Sequence, residues 1–261
     1  STRDGEKPQI YLIPTDGGEA RPLTDMPQGA ENPAWSPDSQ FIAFTSRVNA
    51  QEREKEDTPQ DKQETTPPED AFEAKQRREA KAHREEQRLD PRIIHRQPYR
   101  AGAQYLDDRY THIYILRVDK SFAELGADST QAEKEQSRRL TEGDLDFDPP
   151  IWSPDGASIL TAATREPGKV AAQLHQDVLR IPVPAADAPR EVPVRLTEPG
   201  FCSFNPRPSH DGHFIAYLRQ PEERITAQAK RLTVIPSQGG QPHDITPDFD
   251  RSVNDFRWSS D

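Results

Sequence analysis

Three aspartates at alternate positions, Asp144, Asp146 and Asp148, have the residue type and spacing with which a calcium-binding loop begins. Such a loop also needs glycine at its sixth position and glutamate at its twelfth, whereas this sequence has Pro149 and Asp155 there. The acidic run is therefore predicted to be a loop between strands rather than a metal site.

Other residues with ligand or nucleophile chemistry lack the partners that such chemistry needs. His210 and His213 are three positions apart across a predicted turn, and no Cys or His elsewhere completes a zinc site. The single cysteine, Cys202, has Phe201 and Phe204 nearby and is predicted to be a core thiol. We therefore expect no metal, no cofactor and no catalytic residue in this chain.

The sequence repeats one phrase four times. Trp-Ser-Pro-Asp occurs at Trp35 and at Trp152, returns in worn form at Pro208 and begins again at Trp258. A Leu-Thr or Ile-Thr pair precedes each copy, and 12, 12, 12 and 13 positions separate its first residue from the Trp or Pro. Such a fixed register over the whole chain is typical of a repeat architecture.

Each copy of the phrase predicts a β-hairpin. Proline presets φ for the second position of a type I turn, serine and aspartate hydrogen-bond nearby backbone, and glycine tolerates a left-handed closing residue. Apolar, β-prone runs flank each turn and are predicted to be buried strands. The residues assigned to this structural repeat are Trp35, Pro37, Asp38, Trp152, Pro154, Asp155, Asp211 and Trp258.

A second hairpin fits between successive copies, so that each repeat contains four strands. The 56 positions from Trp152 to Pro208 and the 50 from Pro208 to Trp258 are typical of β-propeller blades. The Trp ahead of each turn is predicted to pack between blades. We predict an all-β fold over 1–261, a partial β-propeller of about four four-stranded blades. A β-sandwich is the alternative, but it gives no reason for two phrases in fixed register.

The repeat count has a consequence for the edges of the fold. Three and a half to four blades are fewer than propellers usually need for closure, so edge strands are expected to be exposed at both ends. The sequence also stops inside a repeat, at Asp261. We therefore expect the chain to be a piece of a larger protein.

Composition excludes two classes of partner. The 261 residues carry a net charge of −11, which repels a nucleic-acid backbone. No apolar run is long enough to span a membrane, which takes about 18 residues or more, so neither nucleic acid nor membrane is an expected partner. The single cysteine cannot form an internal disulfide and fits a reducing compartment, which favours the cytoplasm.

A charged insertion interrupts the repeat after the strand predicted to end near Arg47. Its first part, 49–70, is rich in charged residues, Gln, Thr and Pro, and is predicted to be disordered or loosely tethered. Its second part, 71–89, is rich in Ala, Glu, Lys, Arg and Gln and is predicted to be an exposed helix. We interpret 49–92 as a solvated surface excursion; a lid, a docking arm or an oligomer contact is the alternative.

The segment after this helix carries a family resemblance. It contains PRIIHRQPYR at 91–100 and YLDDRYTHI at 105–113. This pattern resembles a segment in the propeller of S9-family serine peptidases, the prolyl oligopeptidase clan, and above all their acylaminoacyl-peptidase-like and dipeptidyl-peptidase-like members. The sequence departs from the pattern at Ala103 and Gln104, where a second glycine is usual. The hairpin phrases themselves also occur in TolB-like and WD40-like propellers.

The resemblance implies a division of labour. In that family the propeller precedes an α/β-hydrolase domain, whose triad serine lies in a Gly-x-Ser-x-Gly turn. This chain contains no Gly-x-Ser-x-Gly. The resemblance therefore implies a non-catalytic propeller that gates and orients short peptides for a downstream hydrolase domain of the same polypeptide. The alternative is a TolB-like or WD40-like propeller that acts as a protein-interaction scaffold.

Charged residues in the family-like segment are the candidates for substrate contacts. They are Arg96, Arg100, Asp107, Asp108 and Arg109. For each of them, an ion pair between blades or within a turn is the structural alternative.

Overall fold

Short antiparallel strands dominate the structure, as the repeated hairpins predicted. The computed structural model describes residues 7–15, 17–57, 107–118, 137–165, 175–185, 188–224 and 228–259, and the backbone of 100–101 and 104–105. The chain divides into two units, one formed by Ser1–Ala50 with Asp107–Asp261 and one formed by Gln51–Leu106.

The first unit contains one two-stranded sheet and three four-stranded sheets, numbered 1 to 4 in chain order. Sheet 1 consists of β1 (Tyr11–Leu12) and β2 (Arg21–Pro22). Sheet 2 consists of β3 (Glu31–Trp35), β4 (Phe41–Val48), β7 (Tyr110–Arg117) and β8 (Arg138–Arg139). Sheet 3 consists of β9 (Ile151–Trp152), β10 (Ser158–Thr164), β11 (Gln176–Pro182) and β12 (Val194–Arg195). Sheet 4 consists of β13 (Phe201–Pro208), β14 (Phe214–Pro221), β15 (Arg231–Pro236) and β16 (His243–Asp244).

Each four-stranded sheet is a meander in which neighbouring strands follow one another along the chain. Such a meander is the blade of a β-propeller, and the prediction of a partial propeller is confirmed. The described residues contain three complete blades and one two-stranded sheet, where the sequence predicted about four complete blades. Within the described ranges, the sheets do not close into a ring.

Both faces of the middle sheet are buried. All seven residues of β10 are buried, and successive side chains alternate between two clusters because a strand has a period of two. Ile159 belongs to the cluster that joins sheets 2 and 3, whereas Leu160 belongs to the one that joins sheets 3 and 4. The first cluster contains Ala43, Ile113, Ile115, Leu140, Phe147, Trp152, Ile159, Ala163 and Ile181. The second contains Leu160, Val178, Leu196, Ile215, Tyr217 and Ile235.

The turn of the repeated phrase, Ser-Pro-Asp in sheets 2 and 3 and Ser-His-Asp in sheet 4, has the same hydrogen bonds in all three sheets. The serine hydroxyl donates to the aspartate carboxylate at 2.6, 2.5 and 2.5 Å and accepts the N–H that opens the second strand. The carboxylate accepts a further backbone N–H two residues on, at 3.0 Å in each turn. The closing residue has positive φ, which is +58° at Ser39, +69° at Gly156 and +73° at Gly212.

The Leu-Thr pair closes the outer edge of every repeat. In all four copies its first residue donates its N–H to a carbonyl in or next to the third strand, at 2.8 to 2.9 Å. The threonine hydroxyl accepts the backbone N–H of the residue that owns this carbonyl, at 2.9 to 3.1 Å. The residues bonded in this way are Ile10, Ile113, Val178 and Leu232. Because Ile10 directly precedes β1, sheet 1 corresponds to the outer two strands of a blade.

Trp152 and Trp258 each link their own blade to the one before it, whereas Trp35 is 49% exposed, so the prediction that the Trp ahead of each turn packs between blades is wrong for Trp35. Trp152 Nε1 donates to the Ala34 carbonyl of sheet 2 at 3.0 Å, and Trp258 Nε1 donates to the Arg207 carbonyl of sheet 4 at 3.0 Å. Ala34 and Arg207 each stand one position before the Trp or Pro of their own phrase, so the two contacts are equivalent. The Trp152 ring is 8% exposed and packs in the cluster between sheets 2 and 3.

The second unit contains a helix that the sequence did not predict. Helix α1 covers Ala50–Asp57, inside the range 49–70 for which composition predicted disorder, and the prediction is wrong for these residues. Most of its residues are strong helix formers. Glu52 lies in the first turn and Lys55 in the last turn, so both charges interact favourably with the helix dipole. This unit also contains the hairpin of β5 (Arg100–Ala101) and β6 (Gln104–Tyr105). The helix predicted for 71–89 lies outside the described residues.

Substitution Trp152→Ala is expected to destabilise the protein by about 3–5 kcal/mol, because it leaves a cavity between two sheets. Trp152→Phe keeps most of the ring but loses the N–H that Ala34 accepts, so we expect a smaller loss. The urea midpoint of unfolding measures both. Glu191→Ala, at an exposed position, is the control; a midpoint for Trp152→Ala equal to that of the control would contradict the packing argument.

The turn carboxylates predict a loss of stability in acid. The Ser153 hydroxyl and the Ala157 N–H hold the pKa of Asp155 below its usual value. The contribution of Asp155 is therefore complete above pH of about 3.9 and disappears as pH falls through the lower folded pKa. Because the site is exposed, we expect a few tenths of a kcal/mol, on the order of a surface pair. Thermal unfolding of Asp155→Asn from pH 5 to 2 should be less pH-dependent than wild type, and the exposed control Asp248→Asn should retain the wild-type slope.

Candidate functional site

Charged side chains collect at one end of each sheet, where the second strand ends and the third begins. The turns of the repeated phrase lie at the opposite end. We call the end with the charged side chains the charged edge. Its described residues are Arg47, Asp107, Arg109, Arg165, Asp177, Arg219, Glu222 and Asp244. Apolar residues fill the sheet faces, so the strand ends provide the positions at which charges remain near water.

Two of the predicted candidates meet at the charged edge of sheet 2. Arg47 Nη2 lies 2.7 Å from Asp107 Oδ1 and also donates to the Arg109 carbonyl at 3.1 Å. The Arg109 N–H donates to Asp107 Oδ1 at 3.2 Å, and its Nη1 lies 3.6 Å from Oδ2. Asp107 therefore ties the end of β4 to the start of β7. Arg47 is 60 positions from Asp107 in the chain, and sequence reasoning missed it.

The remaining predicted candidates are not brought into this cluster by the described structure. Asp108 is exposed at the surface beside Asp107. Arg100 lies in β5, where the backbone alone is described, and Arg96 lies outside the described residues. Substrate contact by any of the five candidates stays a prediction.

An arginine joins sheets 3 and 4 at the charged edge. Arg165 donates through Nε and Nη2 to both carboxylate oxygens of Asp177, at 2.8 and 2.6 Å, and through Nη1 to Glu222 at 2.6 Å. Its hydrogen bonds to Asp177 raise the pKa of Arg165 above the usual value, so it stays charged. Asp177 is 3% exposed and accepts a further bond from Thr197. Glu222 lies in the 3₁₀ helix Glu222–Arg224 after β14, so one guanidinium links two blades.

Sheet 4 has an ion pair of its own. Arg219 donates to both oxygens of Asp244 at 2.8 Å and lies over the Phe201 ring at 4.4 Å. Burial alone raises the pKa of Asp244, but the hydrogen bonds from Arg219 and Thr233 outweigh it and the net pKa is lowered. Asp244 is therefore ionised and held in place at neutral pH.

The sequence contains a signal that would have located these arginines. Arg47 follows Trp35 by 12 positions, Arg165 follows Trp152 by 13 and Arg219 follows Pro208 by 11. An arginine near the end of each second strand is thus a third repeated feature. The carboxylate partner varies in position, so the arginine alone does not identify its pair.

Two aspartates of the acidic run 144–148 form hydrogen bonds with other parts of the chain. Asp146 accepts the Thr111 N–H at 2.9 Å, and Asp148 lies 3.5 Å from the Gln176 amide. Burial raises the pKa of the Asp148 carboxyl. Burial also raises the pKa of the Cys202 thiol, which therefore stays protonated. Across the described ranges, no three His, Cys, Asp or Glu residues are grouped as metal ligands. In the same part of the chain, no helix is long and apolar enough to cross a bilayer.

Comparisons with known proteins give a peptidase and propeller structures. No family model matches the sequence. A 63-residue stretch, 23% of this chain, is 44% identical to the uncharacterized peptidase YuxL of Bacillus subtilis (strain 168), of which it covers 10%. Uncomplexed acylaminoacyl peptidase of Pyrococcus horikoshii is similar with a TM-score of 0.54 at 14% identity, over 95% of this chain and 30% of that chain. TolB of Agrobacterium tumefaciens gives 0.47 at 16% identity, over 90% of this chain and 55% of that chain.

The chain spans about a tenth of the curated relative. It spans under a third of the peptidase structure. The comparisons confirm the resemblance to peptidases, including the acylaminoacyl peptidases, that the sequence indicated. At 14% identity the likeness to the solved peptidase establishes the fold alone.

The two kinds of ion pair at the charged edge predict different energetic costs. Asp177→Ala leaves the partly buried Arg165 without its bidentate partner, and we expect a loss of about 3–5 kcal/mol. Asp107→Ala removes a more exposed pair with Arg47, whose side chain is 45% exposed, and should cost about 1 kcal/mol or less. Urea unfolding of both variants tests the difference; equal midpoints would show that Arg165 does not depend on Asp177.

Proposed function

We propose that this chain is the propeller portion of a serine peptidase of the acylaminoacyl type. In that role it gates access and orients short peptides for an α/β-hydrolase domain of the same polypeptide. The observation that carries the proposal is the 44% identity to a peptidase over 63 residues. The likeness to acylaminoacyl peptidase over 95% of this chain supports it at the level of the fold.

The described side chains support a non-catalytic role within such an enzyme. Thr141 and His112 form a hydroxyl–imidazole pair at 2.9 Å, which on a surface would be a candidate nucleophile and base. Both residues are 0% exposed, and the Thr141 oxygen also accepts the Ile113 N–H. No substrate reaches this pair, and it is one of the Leu-Thr contacts that close each blade.

The fixed contacts between blades fit a rigid wall that admits small substrates. Trp152 joins sheets 2 and 3, and Arg165 joins sheets 3 and 4 through Glu222. A wall of this kind excludes large substrates by its shape without contributing a reacting group. The described ion pairs at the charged edge hold each carboxylate against an arginine.

The first test compares the natural polypeptide that contains this chain with the isolated 261 residues. Chromogenic aminoacyl and N-acyl-aminoacyl substrates should be hydrolysed by the former, and a serine-directed inhibitor should abolish the activity. The isolated chain should show none. Rapid hydrolysis by the isolated chain would refute the assignment of chemistry, and inhibitor-insensitive or absent activity in the natural polypeptide would favour a TolB-like or WD40-like interaction scaffold.

Gating is tested by substrate length. In the natural polypeptide, Trp152→Phe should loosen the joint between sheets 2 and 3 and raise kcat/KM for long peptides relative to short ones. The control Glu191→Ala should leave that ratio unchanged. An unchanged ratio in a folded Trp152→Phe enzyme would show that this joint does not select substrates by length. The assignment as a peptidase would still hold.

A further inference from the structure

We propose that sheets 3 and 4 separate locally at the charged edge, and that the ion pair between Arg165 and Glu222 holds this joint closed. Both sheets are complete four-stranded blades, so both sides of the joint are present. At three positions that join other sheets to their neighbours, sheet 4 has residues that bind its neighbour less well. Such an opening is a property of the two sheets themselves and is independent of the peptidase assignment.

The first difference is the loss of the indole hydrogen bond. Trp152 donates its ring N–H to the Ala34 carbonyl and so joins sheets 2 and 3. Trp258 makes the equivalent bond to the Arg207 carbonyl of sheet 4. At this position of the repeat, sheet 4 has Pro208, whose side chain has no donor. Sheet 4 therefore cannot form this bond to sheet 3.

The second difference is the side chain five positions before the Trp or Pro of the phrase. Ala30 and Phe147 are apolar and buried there, and Phe147 packs in the cluster between sheets 2 and 3. The equivalent residue of sheet 4 is Ser203, which is 1% exposed. Its hydroxyl has no hydrogen-bond partner among the described residues. A buried, unpaired hydroxyl gains hydrogen bonds to water when the joint opens, so it lowers the free-energy cost of opening.

The third difference lies one position earlier, where a side chain accepts a backbone N–H from the preceding blade. Asp146 Oδ1 accepts the Thr111 N–H of sheet 2 at 2.9 Å. Ser252 provides a hydroxyl for the same contact with sheet 4, at 3.2 Å. In sheet 4 itself the residue is Cys202, whose thiol is hydrogen-bonded to the Gln176 backbone. Sulfur is a weaker acceptor than oxygen, so this contact between sheets 3 and 4 is the weaker one.

The ion pair of Arg165 and Glu222 compensates for these differences. Arg165 Nη1 lies 2.6 Å from Glu222 Oε1, and the two side chains are 20% and 19% exposed. His175 Nδ1 of sheet 3 lies 3.5 Å from the other oxygen of the same carboxylate. The Glu222 N–H donates to the Gly200 carbonyl at 3.1 Å, which fixes this residue to sheet 4. Loss of the Glu222 charge therefore removes the main polar contact between the sheets at this end.

The opposite end of the same joint has contacts that keep the two sheets together. Arg180 Nη1 of sheet 3 donates to the Ser237 carbonyl and to Gln238 Oε1 of sheet 4, both at 3.0 Å. The turns of the two sheets lie side by side, since a Cβ at Gly212 would be 3.8 Å from Pro154 Cγ. The charged edge is therefore the end that opens, and the turns act as the hinge.

Cys202 makes the opening measurable. It is the single cysteine of the chain, it is 3% exposed, and it lies at the end of the joint that opens. Labelling of the full 261-residue chain by dithiodipyridine, an uncharged thiol reagent, is compared in native buffer and in urea that unfolds the protein. We expect native labelling to depend only weakly on low urea concentrations, because a local opening exposes little surface. A urea dependence as steep as that of global unfolding would overturn the proposal.

Glu222→Gln tests the ion pair, because it removes the charge and keeps the shape. At constant pH we expect labelling about 10-fold faster than wild type, the effect of one charge-assisted contact. Glu223→Gln makes the same change in net charge at the neighbouring residue and should label at the wild-type rate. Asp107→Asn, which breaks an ion pair within sheet 2, should do the same. Equal rates for Glu222→Gln and Glu223→Gln would overturn the proposal, as would a fall in urea midpoint that accounts for the whole increase.

Two further measurements do not depend on the folding of Glu222→Gln. In wild type, raising NaCl from about 20 mM to about 0.5 M should speed labelling about 3-fold, because salt screens the ion pair. A rate that does not change with salt would contradict the role of Arg165 and Glu222. Ser203→Ala should slow labelling about 5-fold, because the closed joint then contains no unpaired hydroxyl. Unchanged or faster labelling of this variant would show that Ser203 does not weaken the joint and would count against the proposal.

Discussion

Burial of both faces of the middle sheet is the constraint on which the rest of this structure depends. All seven residues of β10 are buried, and they alternate between neighbours on the two sides. A four-stranded sheet with two apolar faces is not stable in water by itself, because neither face is covered. Each blade is therefore stable through its neighbours. Arg165 and Trp152 matter because they hold those neighbours at a fixed distance and angle.

The two repeated phrases supply hydrogen-bond partners for backbone groups that this packing would otherwise leave unpaired. Buried backbone groups must be hydrogen-bonded, and the strands supply partners along their length but not at their ends. At one end the serine hydroxyl and aspartate carboxylate of the turn take up the free N–H groups. At the outer edge Thr141 and its equivalents do the same for the third strand, and the buried Thr141 hydroxyl also reaches His112. Short polar side chains at fixed spacing thus allow the apolar faces to approach closely.

Local chemistry explains why the hairpins, the blades and the packing of Trp152 were predictable from sequence, whereas the ion pairs were not. A turn is encoded by four adjacent residues, so Ser-Pro-Asp-Gly specifies it without knowledge of the rest of the chain. The contact of Arg47 with Asp107 joins residues 60 positions apart, and Arg165 meets Glu222 across 57. Such pairs depend on strand twist and on which blade lies alongside. Helix α1 was missed for another reason, since high charge lowers the expectation of a core but does not prevent an exposed helix.

The described charges at the strand ends are held in ion pairs. Arg165 and Arg219 each hold a carboxylate in a two-pronged contact, and this geometry fixes orientation more than it adds net stability, because desolvation offsets most of the attraction. A reacting carboxylate needs a pKa raised toward neutrality, but Asp244 has a lowered one. Asp148 has a pKa raised by burial, but it is half-buried and lies 3.5 Å from the Gln176 amide. Arg165 is the described arginine of the charged edge that joins two blades, through Glu222, whereas the pairs Arg47–Asp107 and Arg219–Asp244 each join strands within one sheet.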